Sequence, residues 1–458
     1  MAKLISTNPA KNYQPIGSVT ISSLKEIKNK VCQARLAQPP WQNLGVKKRV
    51  GYLAKAMNLF KQNQATIAQL ITKEVGTAIS ACRDEVAWDF NYWQWFLNNA
   101  EKILKDEIIF EDKTTIHRQV YEPFGVAAAI SPWNLPFDLF LWAVVPNLLA
   151  GNTVIFKTSE ECPLSGQLFE TIMNQANLPK GVFSEVYGNG QVGEQLVNQE
   201  IDLIWFTGSS LVGRKLFGIA GGKFIKAVLE LGGSNPGIIF EDANIDQIIP
   251  KLYSKRFGFC GQTCDALKRL LVHESKFEEM VAKLKTKVEQ TVVDDPEKAT
   301  TTMGPLVAKR QLDLLKAQVA DAVAKGAKII TGGKQPTGLK GAFYLPTILT
   351  NVKDNMRAWQ EEVFGPVLSI RKFTSEAEAV KLANDSPYGL GSLIFTKDKT
   401  RANRVAGELK AGTVEINSAS HWLACNPFGG YKQSGLGREH GIHGFRELCQ
   451  IKVISQEK

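Results

Sequence analysis

The chain has 458 residues, of which 44% are hydrophobic and 22% are charged. At about 100–200 residues per domain, this length predicts two or three domains, and the ordinary composition excludes a mainly disordered or fibrous chain. The net charge is +10, but the basic residues are spread along the sequence rather than gathered in a block. This spacing favours a solvated basic surface over a nucleic-acid interface, and its field suits anionic cofactors.

The strongly apolar stretch from Leu139 to Gly151 is interrupted by Pro146 and Asn147. It is too short and too broken to span a membrane, and the N-terminus lacks the apolar core of a signal peptide. We therefore expect a soluble, cytoplasmic protein with neither membrane nor nucleic-acid partners.

The seven cysteines are widely spaced and include no Cys-x-x-Cys pair. Neither a zinc site nor a disulfide framework is indicated, so we expect reduced thiols and no metal. His440 and His443 lie three residues apart, but the sequence suggests no third ligand to accompany them.

Apolar residues at three- and four-residue spacing predict that the first hundred residues are helical, over 21–35, 47–76 and 77–103. The third segment carries Trp88, Trp93 and Trp95, which we interpret as core packing. The alternating, β-branched segment 114–122 predicts a strand at an edge or on a protruding arm.

Strands and helices then alternate twice, which predicts two α/β domains with parallel sheets and crossover helices. In the first region, strands are predicted at 125–130, 153–156, 182–187 and 201–206, with helices near 163–176 and from 191 and 210. In the second, strands are predicted at 237–240, 269–273, 328–330, 367–371, 392–395 and 412–416, with helices at 276–291 and 309–325.

Two glycine-containing turns follow predicted strands and open helices. The first, Gly188-Asn-Gly-Gln-Val-Gly193, has the spacing of a dinucleotide fingerprint, but no acidic residue closes the next strand. Tight-turn geometry and phosphate contact both remain open for it. In the second, Thr207-Gly208-Ser209, Ser209 can cap the helix, whose N-terminus suits a phosphate. A capped helix without a ligand is the alternative.

Two further segments carry reactive groups. Glu230 precedes paired glycines, which indicates backbone that something approaches closely. Cys264 follows a Gly-Gln turn, and we expect a helix after it, whose dipole would favour the thiolate. Taken alone, each cysteine is interpreted as an inert core residue rather than a reactive one.

Eight segments together resemble the NAD(P)-dependent aldehyde dehydrogenases, in that family's order and across nearly the whole chain. They are Ser131–Pro136, Ala150–Thr153, Phe156–Glu160, Phe206–Ser209, Glu230–Gly233, Gly261–Cys264, Glu361–Pro366 and Pro427–Gly435. The resemblance implies an α/β fold in three parts. These are a Rossmann-like cofactor domain (1–110 and 129–232), a second α/β catalytic domain (233–432) and a small β oligomerisation arm (111–128 and 446–458).

The resemblance also implies the catalytic groups. Cys264 aligns with the nucleophile that forms a thiohemiacetal and then a thioester. The side-chain amide of Asn134 and the backbone N–H of Cys264 would hold the oxyanion, and Glu230 would activate water for hydrolysis. Cys260 does not match the catalytic position, so we interpret it as packing, with a protective disulfide as the alternative. Phe259 departs from the family's usual Asn.

For the cofactor, Lys157 and Glu160 match positions that hold the adenosine ribose. A carboxylate there accepts from the 2′-hydroxyl and repels a 2′-phosphate, which favours NAD over NADP while leaving NADP possible. The other matching positions, which contact the pyrophosphate, the nicotinamide ribose or the nicotinamide ring, are Trp133, Gly208, Ser209, Glu362 and Phe364.

The substrate pocket is less determined. Many semialdehyde-oxidising relatives carry an Arg where this chain has Trp142. Trp142, Phe137 and Phe428 would form aromatic walls that suit an apolar or aromatic aldehyde. Succinate semialdehyde remains open, because the short chain resembles the compact bacterial members that oxidise it. A CoA-acylating enzyme and a non-catalytic binding protein on this fold are the alternatives.

The segments 114–122 and 448–455 resemble the family's oligomerisation strands. Unpaired strand edges usually find a partner, so the sequence predicts a homodimer or homotetramer.

Overall fold

The computed structural model describes residues 2–458 as fifteen α-helices and twenty strands. The helices are α1 Leu24–Asn43, α2 Val46–Gln62, α3 Gln64–Val75, α4 Ile79–Ile103, α5 Pro136–Ala150, α6 Pro163–Gln175, α7 Gly190–Val197, α8 Ser210–Lys223, α9 Ile245–Phe257, α10 Phe277–Glu289, α11 Lys309–Ala324, α12 Arg357–Gln360, α13 Glu376–Asn384, α14 Lys399–Glu408 and α15 Gly441–Arg446. Short 3₁₀ turns cover Gly258–Gly261 and Glu274–Lys276.

The strands form five sheets. They are β1 Lys3–Asn8, β2 Gln14–Thr20, β3 Glu107–Glu111, β4 Thr115–Pro123, β5 Val126–Ile130, β6 Thr153–Lys157, β7 Phe183–Glu185, β8 Leu203–Thr207, β9 Lys226–Glu230, β10 Asn235–Ile239, β11 Leu267–His273, β12 Lys328–Thr331, β13 Thr347–Thr350, β14 Val367–Phe373, β15 Tyr388–Gly389, β16 Gly391–Phe395, β17 Thr413–Ile416, β18 Tyr431–Lys432, β19 Gly435–Leu436 and β20 Cys449–Glu457.

The first hundred residues are less uniformly helical than predicted. β1 and β2 form an antiparallel hairpin that packs on α3 and α6, and its short strands carry no strong apolar alternation. The predicted helix 47–76 is two helices, because Asn63 ends α2 and its side-chain amide donates to the carbonyl of Leu59.

The six-stranded sheet confirms the Rossmann-like part of the prediction. Its order is β19-β9-β8-β5-β6-β7, and all neighbours are parallel except the antiparallel β19. The chain therefore starts at central β5, moves outward to β7, and returns to β8 on the other side. In such doubly wound sheets, ligands bind where the order reverses, outside the carboxyl ends of the strands.

The seven-stranded sheet confirms the second α/β unit. Its order is β12-β13-β14-β11-β10-β16-β17, parallel throughout except for the edge strand β12. The loops that precede β10, β11 and β14 contain Gly233, Cys264 and Glu362, so this sheet points the amino ends of its strands toward the predicted site.

The third larger sheet is the arm β20-β4-β3. Cys449 lies opposite Pro123 and Glu457 opposite Thr115, so β4 and β20 pair along their full length. The predicted arm boundary at 111–128 is wrong at both ends, because β3 already pairs from Glu107 and β5 belongs to the six-stranded sheet from Val126. Pairing of the arm with a second copy stays a prediction.

Helix α5 connects the centre of the first sheet to the predicted site. It begins with Pro136 at its first position, where the missing N–H costs nothing, and ends before Gly151, which has φ +105°. Every residue of α5 is buried, and the helix packs against α4 and α2.

Candidate active site

A cavity of about 940 Å³ lies where the two large sheets face each other. Its wall includes the carboxyl ends of β5 and β8 and the loops before β10, β11 and β14. It therefore occupies the switch point of the six-stranded sheet, and it brings together residues from both α/β units.

Cys264 lies in the cavity wall, between the 3₁₀ turn Gly258–Gly261 and β11. The expectation of a helix after Cys264 is wrong, since strand β11 follows and no helix N-terminus points at the thiol. Burial raises the pKa of the Cys264 thiol well above its ordinary value, and the neighbouring Asp265 raises it further. These effects favour the thiol form of Cys264 over the thiolate.

The backbone before Cys264 is unusual. Phe259, Cys260 and Gly261 have φ values of +49°, +57° and +69°. Non-glycine residues rarely adopt this left-handed region, so the turn is held by its surroundings. Cys260 is buried in the core of the second unit, which agrees with its interpretation as packing, and every cysteine in the part of the chain described is a free thiol.

Lys268 holds the catalytic loop and was not identified from the sequence. Its buried ammonium donates to the carbonyls of Gly233 (2.8 Å) and Cys264 (2.9 Å) and to a carboxylate oxygen of Glu362 (2.8 Å). Glu362 also accepts from the backbone N–H of Gly233 at 3.0 Å. One cation thus connects the loops before three adjacent strands of the second sheet.

Asn134 and Trp133 enter the cavity from the loop between β5 and α5. Their loop is short because α5 begins immediately afterwards at Pro136. The structure therefore places the Asn134 amide and the Cys264 thiol in the wall of one cavity, although they belong to different sheets.

Glu230 lies at the end of β9, but its carboxylate is not part of the cavity wall. It is buried, and neither oxygen has a hydrogen-bond partner. Burial raises the pKa of Glu230 well above its ordinary value, Glu439 raises it further, and Arg438 opposes them. Burial also raises the pKa of Glu439 to about 8. Burial and the nearby Glu439 thus both favour the protonated state of Glu230.

The residues predicted for the adenosine and phosphate groups line one end of the cavity. They are Lys157, Glu160, Gly208 and Ser209. Ser209 caps α8 by accepting from the N–H of Val212 at 3.4 Å, and the buried Lys157 lies 3.9 Å from Glu160. Burial lowers the pKa of Lys157.

The glycine fingerprint reaches the same end of the cavity. Gly190 and Gly193 are in its wall, and a Cβ on Gly190 would meet nothing within 4 Å. Two helix N-termini, those of α7 and α8, therefore open on this end beside a lysine. This donor set fits a dinucleotide with its anionic phosphates.

Glu362 and Phe364 lie nearer the thiol. The rings of Phe364 and Trp133 meet edge to face at 5.5 Å, and the ammonium of Lys268 lies 5.4 Å from the centre of the Phe364 ring. Both predicted residues line the cavity, and Glu362 additionally anchors backbone through its contacts with Gly233 and Lys268.

The other end of the cavity is aromatic. Trp142 lines it and stacks on Trp422 at 5.7 Å. Phe137 is wrong as a pocket residue, because it faces the opposite side of α5 and packs on Phe60 in the core. Phe428 is also outside the wall, since it stacks behind Trp422 at 5.1 Å.

Asp265, next to the nucleophile, also lines this end and accepts from the Trp422 indole N–H at 3.1 Å. Burial alone would raise the pKa of Asp265, but the neighbouring Lys255 and His421 lower it. Lys255 in turn contacts Glu415 at 3.0 Å. The charge of this lysine is therefore already matched by two carboxylates.

Lys268 and Asp265 were missed for different reasons. Lys268 lies in an apolar strand segment, where no feature of the sequence indicates that its ammonium connects three loops. Asp265 follows the nucleophile directly, which was a signal available in the sequence. No helix formed by residues 2–458 is long and apolar enough to cross a membrane, and these residues contain no cluster of three or more His, Cys, Asp or Glu suited to a metal.

A dinucleotide-type crevice that ends at a cysteine and an amide fits an oxidoreductase that uses a dinucleotide cofactor. The sequence profile of the aldehyde dehydrogenase family matches residues 2–454, and the chain belongs to this family. It is accordingly an NAD(P)-dependent aldehyde dehydrogenase.

Named relatives agree with this assignment. The chain is 35% identical to the glutarate-semialdehyde dehydrogenase of Pseudomonas aeruginosa, over 98% of this chain and 92% of that protein. It is also 35% identical to the betaine aldehyde dehydrogenase of Bacillus subtilis, over 97% and 92%.

Solved structures show the same fold. The succinate-semialdehyde dehydrogenase of Burkholderia pseudomallei has a TM-score of 0.96 at 33% identity, covering 99% of this chain and 94% of that chain. The betaine aldehyde dehydrogenase of Staphylococcus aureus, solved with NAD+, has a TM-score of 0.95 at 33% identity, covering 99% and 91%. These relatives act on differently charged aldehydes by name, so they leave the substrate of this chain open.

Proposed function

We propose that the enzyme oxidises an aldehyde to its carboxylic acid through a thioester on Cys264 that water hydrolyses. The observation that carries this proposal is the shared cavity, which has Cys264 and Asn134 in one wall and a dinucleotide-type donor set at its far end. The Cys264 sulfur would attack the aldehyde carbon after losing its proton. The Asn134 amide and the backbone N–H of Cys264 would donate to the developing oxyanion.

The bound dinucleotide would supply the hydride acceptor. Lys157, Glu160, Gly208 and Ser209 would hold its adenosine and phosphate half, and Trp133, Glu362 and Phe364 the other half. The Glu160 carboxylate favours NAD, because it can accept from a ribose hydroxyl and would repel a 2′-phosphate. NADP remains possible, since Glu160 is partly exposed and can turn away.

Glu230 would then deprotonate the water that attacks the thioester. Its buried carboxylate has no hydrogen-bond partner, so no contact fixes it away from the cavity, and it lies against Gly429. A CoA-acylating enzyme would not need this base, because CoA itself takes the acyl group.

The aromatic walls around Trp142 and Trp422 support an aldehyde with an apolar or aromatic body. A free carboxylate such as that of succinate semialdehyde finds less support. Lys255, the lysine paired with the cavity residue Asp265, is also bound to Glu415.

The test is NADH or NADPH formation from a panel of aldehydes, followed by absorbance with purified enzyme. The panel sets succinate semialdehyde against medium-chain and aromatic aldehydes, each with NAD and with NADP. We expect turnover without CoA and faster reaction with NAD. Turnover that requires CoA would replace hydrolysis by acyl transfer, and bound NAD without any turnover would favour a non-catalytic protein.

A further inference from the structure

Asp265 places a carboxylate beside the nucleophile at the aldehyde end of the cavity. It directly follows Cys264 in the chain, and both residues belong to the cavity wall. Consecutive Cα atoms are only about 3.8 Å apart. An aldehyde bonded to the Cys264 sulfur therefore has this carboxylate within reach of the carbon atoms nearest its carbonyl.

The two carboxylate oxygens of Asp265 have different surroundings. Oδ2 accepts from the Trp422 indole N–H at 3.1 Å and lies 3.6 Å from the Lys255 ammonium. Among residues 2–458, no group donates a hydrogen bond to Oδ1, and this oxygen is not enclosed by protein. The side chain is 10% exposed and lines the cavity, so a free acceptor faces the bound aldehyde.

The Asp265 side chain acts as a carboxylate and not as a carboxylic acid. Its burial is outweighed by Lys255, by His421 and by the Trp422 N–H, which together keep its pKa below the ordinary value. An ionised carboxylate can only accept hydrogen bonds. An acceptor of this kind in a largely buried place is stabilised by a donor, and at Oδ1 the substrate can provide that donor.

The charge of Asp265 is already balanced within the protein. The Lys255 ammonium contacts Asp265 and lies 3.0 Å from Glu415. Lys251 lies 2.9 Å from the other oxygen of Glu415. Two lysines thus face two carboxylates, so the donor at Oδ1 need not carry a charge. A neutral hydroxyl keeps this balance, whereas a substrate carboxylate would be repelled by Asp265.

The position of the free oxygen is fixed by contacts on both sides of Asp265. Its backbone carbonyl accepts from the side-chain amide of Asn235 at 2.8 Å, and the preceding carbonyl, that of Cys264, accepts from Lys268 at 2.9 Å. The side chain itself is held by Trp422 and Lys255. An acceptor that is ordered in advance loses little conformational entropy when a substrate binds.

Trp422 connects this acceptor to the aromatic wall of the pocket. Its indole N–H donates to Asp265, while its ring stacks on that of Trp142 with centres 5.7 Å apart. One pocket therefore offers flat apolar faces and, beside the thiol, a polar acceptor. The carbon body of an aldehyde can pack on the indole rings while a hydroxyl close to its carbonyl donates to Oδ1.

We propose that Asp265 is a specificity-determining residue that accepts a hydrogen bond from a hydroxyl group on C2 or C3 of the aldehyde. The substrate class is then a hydroxyaldehyde whose remaining carbon atoms pack on Trp422 and Trp142. This inference rests on the proposed aldehyde oxidation and specifies its substrate.

The experiment compares aldehydes that differ by one hydroxyl group. 3-Hydroxybutanal against butanal and 2-hydroxypropanal against propanal are the near pairs, with the hydroxyl beside the carbonyl. 6-Hydroxyhexanal against hexanal is the far pair, whose hydroxyl cannot reach Asp265 from the thiol. The measurement is kcat/KM for each aldehyde at saturating NAD, followed by NADH absorbance.

We expect the hydroxylated member of at least one near pair to be favoured by about tenfold or more, since the acceptor is charged. The far pair should differ little. If neither near pair exceeds the far pair in its hydroxyl preference, the assignment is overturned while aldehyde oxidation stands. No turnover of any aldehyde would instead count against the proposed function itself.

The variant Asp265→Asn locates the effect. It removes the charge but retains an oxygen that can accept from Trp422. Asp265 also raises the pKa of the Cys264 thiol, but this effect and the intrinsic reactivity of each aldehyde cancel when the ratio within a pair is compared between enzymes. The hydroxyl preference of the near pairs should fall by about fivefold, and that of the far pair should not change.

The matched control is Asp246→Asn, an exposed aspartate on α9 that is paired with Lys283 at 2.7 Å outside the cavity wall. Its ratios should stay at the wild-type values. A near-pair preference that survives in Asp265→Asn, or that is lost equally in the control, would contradict the role of Asp265. If Asp265→Asn fails to fold, the comparison of near and far pairs in the wild-type enzyme decides.

Discussion

The ammonium of Lys268 lies 2.8 Å from a carboxylate oxygen of Glu362, and each group also holds backbone of the glycine pair before β10. This pair links the thiol-bearing loop to a residue predicted to bind the cofactor. Neither partner is free to move without displacing the other.

Replacing Lys268 with Met should therefore lower both stability and activity. The change leaves Glu362 partly buried without its cation, which costs about 3 kcal/mol of unfolding free energy. We expect a lower Tm and a raised KM for NAD. Lys276→Met is the control, because the Lys276–Glu279 pair at 3.5 Å is on the surface. Equal melting temperatures for the two variants would contradict this role of Lys268.

Cys264→Ser should abolish aldehyde-dependent NADH formation, since a serine hydroxyl is a far weaker nucleophile than a thiolate. NAD binding, measured by calorimetry, should remain, because the dinucleotide residues are untouched. The exposed Cys32 provides the control variant Cys32→Ser, which should keep wild-type turnover. Full activity in Cys264→Ser would show that another group is the nucleophile.

Glu230→Gln should slow hydrolysis of the thioester by about 10²–10⁴-fold, the usual contribution of a general base. A single turnover should still release one equivalent of NADH as a burst. Mass spectrometry of the quenched enzyme should then find the acyl group on Cys264. Unchanged steady-state turnover without acyl-enzyme would rule out Glu230 as the base.

Activity should rise with pH into the alkaline range. Burial raises the pKa of Cys264 and of Glu230 well above the ordinary values, so only a small fraction of each is deprotonated at neutral pH. Both groups act in the deprotonated form, so raising the pH increases the active fraction. The measurement is kcat and kcat/KM from about pH 6 to about pH 10.

The variant Glu439→Gln distinguishes the pH dependence that comes from Glu230 from the one that comes from Cys264. It removes the carboxyl that raises the pKa of Glu230, so the rise of kcat should move to lower pH. The rise of kcat/KM that reports Cys264 should not move to lower pH, because Glu439 does not raise the pKa of the thiol and an ionised Glu230 can only raise it. A kcat profile identical to wild type would contradict the coupling.

Glu160→Gln should improve the use of NADP relative to NAD by about tenfold. The substitution removes the charge that repels a 2′-phosphate and weakens the acceptor for the ribose hydroxyl. The ratio of kcat/KM for the two cofactors is the measurement. Glu161→Gln, at a residue paired with Arg310 at 2.8 Å, is the control and should keep the wild-type preference. An unaltered ratio in Glu160→Gln would show that another residue sets the preference between NAD and NADP.

The alternation of strands and helices was readable from the sequence because long apolar runs such as β5 are bounded by turn residues. The β1–β2 hairpin was not, since its strands gain their burial from α3 and α6 rather than from their own pattern. The strand after Cys264 was predicted only from residue 269, and a helix was expected before it, for a related reason. Leu267–His273 contains Lys268 and Arg269, whose charges are satisfied by backbone carbonyls only in the folded chain.

For the site, the motifs identified the residues that line the cavity around the thiol and the dinucleotide end. They could not identify which side of α5 faces the pocket, and Phe137 was therefore assigned wrongly.

The thiol of Cys264 and the aromatic wall at Trp142 belong to different halves of the molecule. Cys264 is carried by the seven-stranded sheet, whereas α5 packs with the six-stranded sheet. Replacements at Leu139 and Trp142, which line the cavity from α5, can therefore alter which aldehyde is accepted without changing the loop that carries the thiol. A protein engineer could exchange α5 between relatives of different preference, and natural point mutations on this helix could change the preference in the same way.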